Sequence, residues 1–471
     1  MIRLTQPMPR PVTSKNSKQH RYFKRCDYWK FHEWTYKNFP EFWDCVWRFF
    51  DIVHSKPYTE VYDRKNGFES MEWFKGARLN YAENLLKYRD SKIAIIATDY
   101  ENNDDPITYK ELYEEVRVYA KAMRNDGIQK GDNIACYMSN KKEAVIAFLA
   151  TAAIGAVWSG TLPLLGTKSV LSRFEQIKPK ILFTAGNFTF DDKKFNLIER
   201  LHEITADSKL TKSSFCPSKK NRNEDISGIN KCIYISDFLK RAREELQDDP
   251  RELEFEQLPF DHPLSVSFTS GTTGEPKGLV HSAGMYFANL KDFGLHHNCT
   301  REDVLYNQSP VGWISWNMLV NALHLGLTLV LYDGDPITES PTRFWDLVDK
   351  FGITSSYLWS STVEFMDVHG WGPTPKHSLK TLKQLIPMGS PVKPSSFEFL
   401  TEKVKPGLFC CPVYGSTEVF GMISGMDQNM PVYKGEIQAL SLGMDIRILD
   451  EKDKPVFEKR RSSAFENHIQ L

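Results

Sequence analysis

Short apolar runs and helically spaced apolar positions take turns along most of this chain. A run of β-formers at 92–98 (K-I-A-I-I-A-T) predicts a strand. The next segment, 109–125, predicts an amphipathic helix. Thr108 stands before it and Glu111 at its third position, the capping-box pattern, and Gly127 follows as a stop. Gly131 and Asp132 turn the chain into a strand at 133–138. A helix at 141–155, a short strand at 157–159, a helix at 169–176 and a strand at 180–184 follow. The rhythm continues with helices at 235–247, 284–290, 316–324, 341–351 and 395–404. Further strands fall at 263–268, 279–281, 304–307, 328–332, 355–358, 384–388 and 409–413. Strands alternating with helices predict an α/β fold, its parallel sheets covered by helices on both faces.

The remaining segments break that rhythm. Residues 27–55 are crowded with aromatics. Phe42, Val46, Phe49 and Phe50 recur at helical spacing, so an amphipathic helix is expected to dock its aromatic face on the main body, and 73–86 continue this lead-in. Residues 206–230 are polar and read as a surface loop, and 248–256 form an acidic connector. Residues 434–456 read as two short strands around a turn. The expected organisation is a flexible basic arm over 1–26, a helical lead-in over 27–90, a main α/β domain over 91–433, a small β portion over 434–457 and a separate tail over 458–471.

Composition narrows the class. At 471 residues the chain exceeds one ordinary domain. Its net charge of zero gives no bulk attraction to nucleic acid or anionic membrane. The most apolar stretch, 144–158, is shorter than the roughly 20 residues that cross a bilayer, so a buried helix is expected there. The eight cysteines form no C-x-x-C pair, which reads as reduced thiols. His281, His296, His297 and Cys299 match no metal-ligand spacing.

The chemistry gathers around 267–278, S-F-T-S-G-T-T-G-E-P-K-G. Glycines 271, 274 and 278 are able to take positive φ and bring backbone N–H groups close to an anion. Thr269, Ser270, Thr272 and Thr273 add hydroxyls, and Lys277 adds a charge. A Walker A loop it is not, because Lys277 precedes the last glycine and no helix-opening Ser/Thr follows. Without further context a polar hairpin turn is the plainer reading.

The whole string, however, resembles the phosphate loop of the adenylate-forming superfamily of acyl-CoA synthetases, adenylation domains and luciferases. Tyr414-Gly415-Ser416-Thr417-Glu418 is similar to its Y-G-x-T-E motif, Gly389-Ser390-Pro391 to its G-x-P turn, and the stretch opening Gly312-Trp313 to its G-W motif. The resemblance implies the large N-terminal domain of such an enzyme, with ATP, Mg²⁺ and coenzyme A as its small molecules. It implies that Thr269, Ser270, Gly271, Thr272, Thr273 and Lys277 hold the β- and γ-phosphates. Gly389, Ser390, Pro391 and Tyr414 would meet adenine, Thr417 the α-phosphate and Glu418 the Mg²⁺. Trp313, Ile314 and Ser315 would line the acyl pocket, with Trp316 assigned to the core. Gly415, where acetate-specific relatives carry tryptophan, would leave room for a longer acyl group.

Further strings, including F-K-G-A-R-L-N-Y-A-E-N-L-L at 74–86, G-L-V-H-S-A-G at 278–284 and G-E-I-Q-A-L-S-L-G-M at 435–444, resemble the branch of that superfamily that activates acetoacetate. A cytosolic setting is implied. The resemblance also implies a Y-x-T-G-D-like segment and a mobile C-terminal domain bearing an adenylation lysine. Neither is recognisable in this sequence, and 458–471 resemble no family segment, so a truncated form is expected. Two readings stay open: a ligase impaired by that loss, or a non-catalytic ATP-binding relative.

Overall fold

Among the described residues the predicted strands, joined by three that the pattern did not show (Asp105–Thr108, Lys212–Cys216 and Cys232–Tyr234), assemble into two sheets, each of seven strands. In spatial order the first holds Cys232–Tyr234, Lys212–Cys216, Ile181–Ala185, Asn133–Tyr137, Val157–Gly160, Pro263–Thr269 and Lys277–Ser282. The second holds Phe409–Cys410, Gln384–Met388, Ser355–Trp359, Val304–Asn307, Thr328–Asp333, Ile93–Asp99 and Asp105–Thr108. The computed structural model behind this description covers residues 27–63, 71–190, 193–207, 212–216, 224–269, 275–447 and 449–450. The expected arm at 1–26, the tail at 458–471 and loop residues Ser270, Gly271, Thr272, Thr273 and Gly274 lie outside the described residues.

Pairing is parallel except at one edge of each sheet. Lys277–Ser282 doubles back on Pro263–Thr269, and Asp105–Thr108 on Ile93–Asp99. The wholly parallel expectation fails at both places for one reason. A parallel return needs a crossover of a dozen or more residues, and neither connection is that long. Ile93–Asp99 also parts from its neighbours in sequence. It pairs with Thr328–Asp333, Leu329 opposite Ile95, and carries Asp105–Thr108 with it, while the strands after that hairpin, from Asn133–Tyr137 to Ile181–Ala185, build the other sheet.

Local chemistry explains the helices. In Tyr109–Asn125 the Glu111 N–H donates to Thr108 Oγ1 (3.1 Å) and the Thr108 N–H donates to Glu111 Oε2 (2.8 Å), a closed capping box. Lys142–Ala153 is buried at every position from Ala144 to Ala153, as its uniform apolarity requires. Its Phe148 packs near Trp158 and Trp316 in a core that takes in Ile134 of the first sheet and Leu329 of the second. Each such side chain contributes about 1.5–3 kcal/mol by leaving water. No described helix is long and apolar enough to cross a membrane.

The lead-in docks as expected, with one correction. Phe42, Val46 and Phe50 are buried, but Phe49 is 54% exposed, because the helix Phe39–Phe49 ends there and its inward stripe advances by four. Two buried asparagines in the run after it are cross-links rather than anomalies. Asn80 Nδ2 donates to the carbonyls of Ala152 (2.9 Å) and Glu256 (2.9 Å), and Asn84 exchanges hydrogen bonds with the backbone of Val53.

Two further corrections concern the polar stretches. Within 206–230, Lys212–Cys216 is a sheet strand, Lys212 opposite Ile181, because backbone pairing supplies what its composition hides. In 434–456 the described residues form one short strand, Ala439–Leu440, which pairs back to Ser424–Gly425 instead of to a second strand after a turn. Residues 451–456 lie outside the described set. The helices Leu197–Asp207 and Ser360–His369 had no counterpart in the pattern reading.

Candidate active site

Four strands of the second sheet run parallel, so their C-terminal ends emerge side by side, where open α/β sheets place ligands. Gln384–Met388 ends at Gly389, whose φ of 89° is left-handed. A Cβ there would lie 2.6 Å from the Trp359 ring, so both conformation and contact demand glycine. Ser360 Oγ donates to the carbonyls of Ser390 (2.7 Å) and Met388 (3.1 Å), pinning the Gly389-Ser390-Pro391 turn. All three turn residues are exposed. Trp359 in turn meets Trp313 edge-on at 5.2 Å, and Trp313 is 46% exposed despite its size. The neighbouring strand is only Phe409–Cys410, but past its end the Val413 N–H still donates to Pro387 O (3.0 Å), which carries Tyr414 alongside the turn.

Tyr414 is held by its backbone: its N–H donates to Ser424 Oγ (2.7 Å) and its carbonyl accepts from Ile423 N (2.8 Å). The chain then folds into a small hairpin, Gly415–Ser416 against Gly421–Met422, with Thr417 half-buried and Glu418 exposed near its turn. The Met422 N–H donates to Asp292 Oδ2 (3.1 Å). Asp292 is itself fully buried against Lys291, with Nζ to Oδ1 at 2.7 Å. Gly415 departs from expectation. A Cβ on it would stand 2.2 Å from Gly421 O, so the opposing backbone fills the space a side chain would take there, and glycine is required by the hairpin itself.

The stretch expected to hold phosphates lies between two antiparallel edge strands of the first sheet, Thr269 opposite Lys277. Thr269 is half-buried. Lys277 is exposed and makes no ion pair with a described residue. Two contacts grip the loop's far side: Ser172 Oγ donates to Glu275 Oε2 (2.8 Å) and Gln176 Nε2 to Pro276 O (2.9 Å). Gly278 is paired in the strand opposite Phe268 and has no positive φ, contrary to expectation, since the ladder already extends to Lys277. Strand alternation puts Lys277, Leu279 and His281 on one face. At the end of that row His281 Nε2 donates to Thr417 O (2.7 Å). One hydrogen bond therefore joins the two motif hairpins. Burial lowers the His281 pKa, against the pull of the Thr417 carbonyl and the Glu418 charge.

A cavity of about 270 Å³ lies between the ends of the two sheets, bordered by Asn140 and Leu162 from the first and by Gln308, Trp313, Asp335 and Trp359 from the second. Of the expected acyl-pocket residues only Trp313 borders it. Ser315 is buried with its Oγ 2.6 Å from Ser309 Oγ, and Ile314 packs on the core. Trp316 is fully buried, its Nε1 donating to Asn140 Oδ1 (2.9 Å). Asn140, Leu162 and Asp335 carry no motif. The available signal was position, since each follows a predicted strand.

The remaining histidines have separate partners. His296 sits against Met426 O (Nδ1 at 3.0 Å), His297 against the Tyr357 hydroxyl, and Cys299 near Gln384.

Comparison with known proteins matches the description "AMP-binding enzyme" over residues 82–460 and "Acetyl-coenzyme A synthetase N-terminus" over 28–85. The chain is 40% identical to the acetoacetyl-CoA synthetase of Danio rerio across 90% of its own length and 64% of the relative's. To that of Gallus gallus it is 37% identical, across 96% and 70%. Its structure resembles the acetoacetyl-CoA synthetase from Streptomyces lividans with a TM-score of 0.83 at 31% identity, covering 92% of this chain and 66% of that one. The chain thus spans a little under two thirds of the Danio rerio protein.

Proposed function

The chain belongs to the AMP-binding enzyme family and, within it, to the acetoacetyl-CoA synthetases, and from that premise we propose that it takes part in activating acetoacetate with ATP. In that reaction a carboxylate oxygen attacks the α-phosphorus, the bond to the bridging oxygen breaks and pyrophosphate leaves. The thiol of coenzyme A then displaces AMP from the acyl-adenylate. The observation that carries the proposal is the junction of the two motif hairpins through His281 and Thr417.

The residues divide the work by chemistry. Lys277, exposed and without an ion pair among the described residues, suits the pyrophosphate end, where the leaving group gathers charge. Thr269 borders the same loop, and Ser270, Gly271, Thr272 and Thr273 complete the proposed phosphate set from outside the described residues. Thr417 is proposed for the α-phosphate. Tyr414, half-buried with its backbone pinned, and the Gly389-Ser390-Pro391 turn are proposed for adenine. Glu418 fits a Mg²⁺ role: it is an exposed carboxylate, and Mg²⁺ takes one or two carboxylates beside phosphate oxygens and water. When bound, that ion would neutralise phosphate charge. The gain asked of this chain is otherwise positioning. Trp313 and the cavity beside it are proposed to receive the acyl group. We place the reaction in the cytosol, in keeping with free thiols at the described Cys45, Cys136, Cys232, Cys299, Cys410 and Cys411.

The test is carboxylate-dependent pyrophosphate release with acetoacetate, acetate and butyrate. It is run on the 471 residues alone and with the remaining part of an acetoacetyl-CoA synthetase supplied. Release specific to acetoacetate in either arm supports the proposal. ATP·Mg binding with no acyl-adenylate in both arms would favour a nucleotide-binding protein without ligase activity.

A further inference from the structure

We infer that His281 is a positioning residue that sets the Thr417–Glu418 turn against the phosphate hairpin, so that the two ends of a bound triphosphate are held by coupled elements. The inference rests on the nucleotide reading above and adds to it a residue to which that reading gives no role.

The turn at 417–420 has little backbone pairing of its own. Its hairpin has two residues on each strand, and a ladder that short is marginal by itself. Phe420 adds strain, since its φ of 48° is left-handed in a residue with a bulky side chain. The base of the hairpin is anchored elsewhere, at Asp292 through the Met422 N–H. What closes the turn is the Thr417 carbonyl, which accepts from the Phe420 N–H (3.3 Å) and from His281 Nε2 (2.7 Å). The His281 bond is the shorter, and it is the one that comes from the other sheet.

The surroundings fix the form of the ring. The acceptor is a carbonyl, so Nε2 carries the proton. Nδ1 is buried without a partner among the described residues and is therefore the lone-pair nitrogen. The ring lies against Phe420 at 5.1 Å between centroids. Phe420 also packs on Tyr286 at 4.0 Å, and the Tyr286 hydroxyl is 2.8 Å from Ser265 Oγ on the strand Pro263–Thr269. Both strands of the phosphate hairpin thus reach the same turn, one through His281 and the other through Tyr286. A displacement of that hairpin carries the carbonyl of Thr417 with it.

The discriminating experiment compares two ligands on the unsubstituted chain, H281L and H281Q, by calorimetry in the presence of Mg²⁺. Inorganic pyrophosphate engages the phosphate hairpin alone, whereas ATP spans both elements. Removing the donor in H281L is expected to weaken ATP·Mg about tenfold and leave pyrophosphate within about twofold. H281Q, whose amide N–H reaches as far, is expected to recover most of the ATP affinity. Equal losses for both ligands would reduce His281 to a structural side chain, and an unchanged ATP affinity in H281L would overturn the inference while leaving the nucleotide site intact. If the unsubstituted chain binds neither ligand, the nucleotide reading fails and takes this one with it. Should both variants fail to fold, ¹⁵N-histidine spectra of the unsubstituted chain decide. A slowly exchanging Nε2–H that shifts when ATP·Mg is added supports the coupling, and an Nδ1–H tautomer or an unmoved signal overturns it.

Discussion

The two sheets have equal strand numbers and the same antiparallel flaw at one edge, yet they serve the candidate site in opposite ways. The second contributes strand ends braced from beneath. Gly389 rests on Trp359, the turn after it hangs from Ser360, and the hairpin after Tyr414 is tied to the buried Asp292. The first contributes an edge hairpin with Lys277 and Gly278 exposed and Val280 60% exposed on the strand leading away. The difference follows from the jobs proposed for them. A group that must orient adenine or an α-phosphate needs a rigid, hydrogen-bonded support. A group that meets a highly charged phosphate needs an unshielded cation and N–H groups not already taken by a ladder.

The contrast is broken most severely at Asp292. In Asp292→Ala, Lys291 is left as a buried, uncompensated charge and the Met422 N–H loses its acceptor. A stability loss of about 3–5 kcal/mol in denaturant unfolding is expected. An ion pair at the surface under the first sheet, Lys130 with Glu256, should cost under about 1 kcal/mol when Lys130 becomes alanine. Similar losses at both sites would erase the proposed difference in bracing.

Acid probes the same supports without mutation. Burial lowers the pKa of His296 to about 4, and of His297 and His324 to about 3. In the unfolded chain these rings take up protons as pH falls through about 6.5, while the folded protein resists until far lower. The unfolded state therefore binds more protons in that window. The stabilising contribution is complete above about pH 6.5 and is lost as pH falls toward the folded values. Going from pH 7.5 to pH 6 should remove about 2–3 kcal/mol across the three rings, read as a shift in the urea midpoint.

Gly389→Ala places a Cβ against Trp359 in a left-handed backbone. It is expected to cost about 1–3 kcal/mol in stability and to weaken AMP binding with it. At the edge hairpin the outcome should invert. Lys277→Ala is expected to leave stability within about 0.5 kcal/mol while weakening ATP·Mg by about tenfold in a binding titration. A loss of stability without a loss of affinity at Lys277 would contradict the division drawn between the sheets.

Much of this was legible beforehand because it is local. The capping box at Thr108 and Glu111, the all-apolar helix after Lys141 and the strand ends bearing Gly389 and Tyr414 announce themselves through period, caps and turn residues. Lys212–Cys216 was missed because its polar composition resembles a loop, and its strand state comes from the ladder beside it. What stands opposite Gly415 and Ser315, a backbone carbonyl in one case and another serine hydroxyl in the other, is recorded by no string.

By itself, then, the sequence determined the α/β class and the identity of most elements, which depend on contacts within a turn or two of chain, and it held four strings whose proposed chemistry rests on resemblance. Only the tertiary structure decided that Ile93–Asp99, with Asp105–Thr108 beside it, joins the second sheet, and that His281, set apart as a doubtful metal ligand, instead bridges two hairpins. Both outcomes depend on partners distant in sequence, and hydrogen bonding across that distance is a property of the packed chain alone.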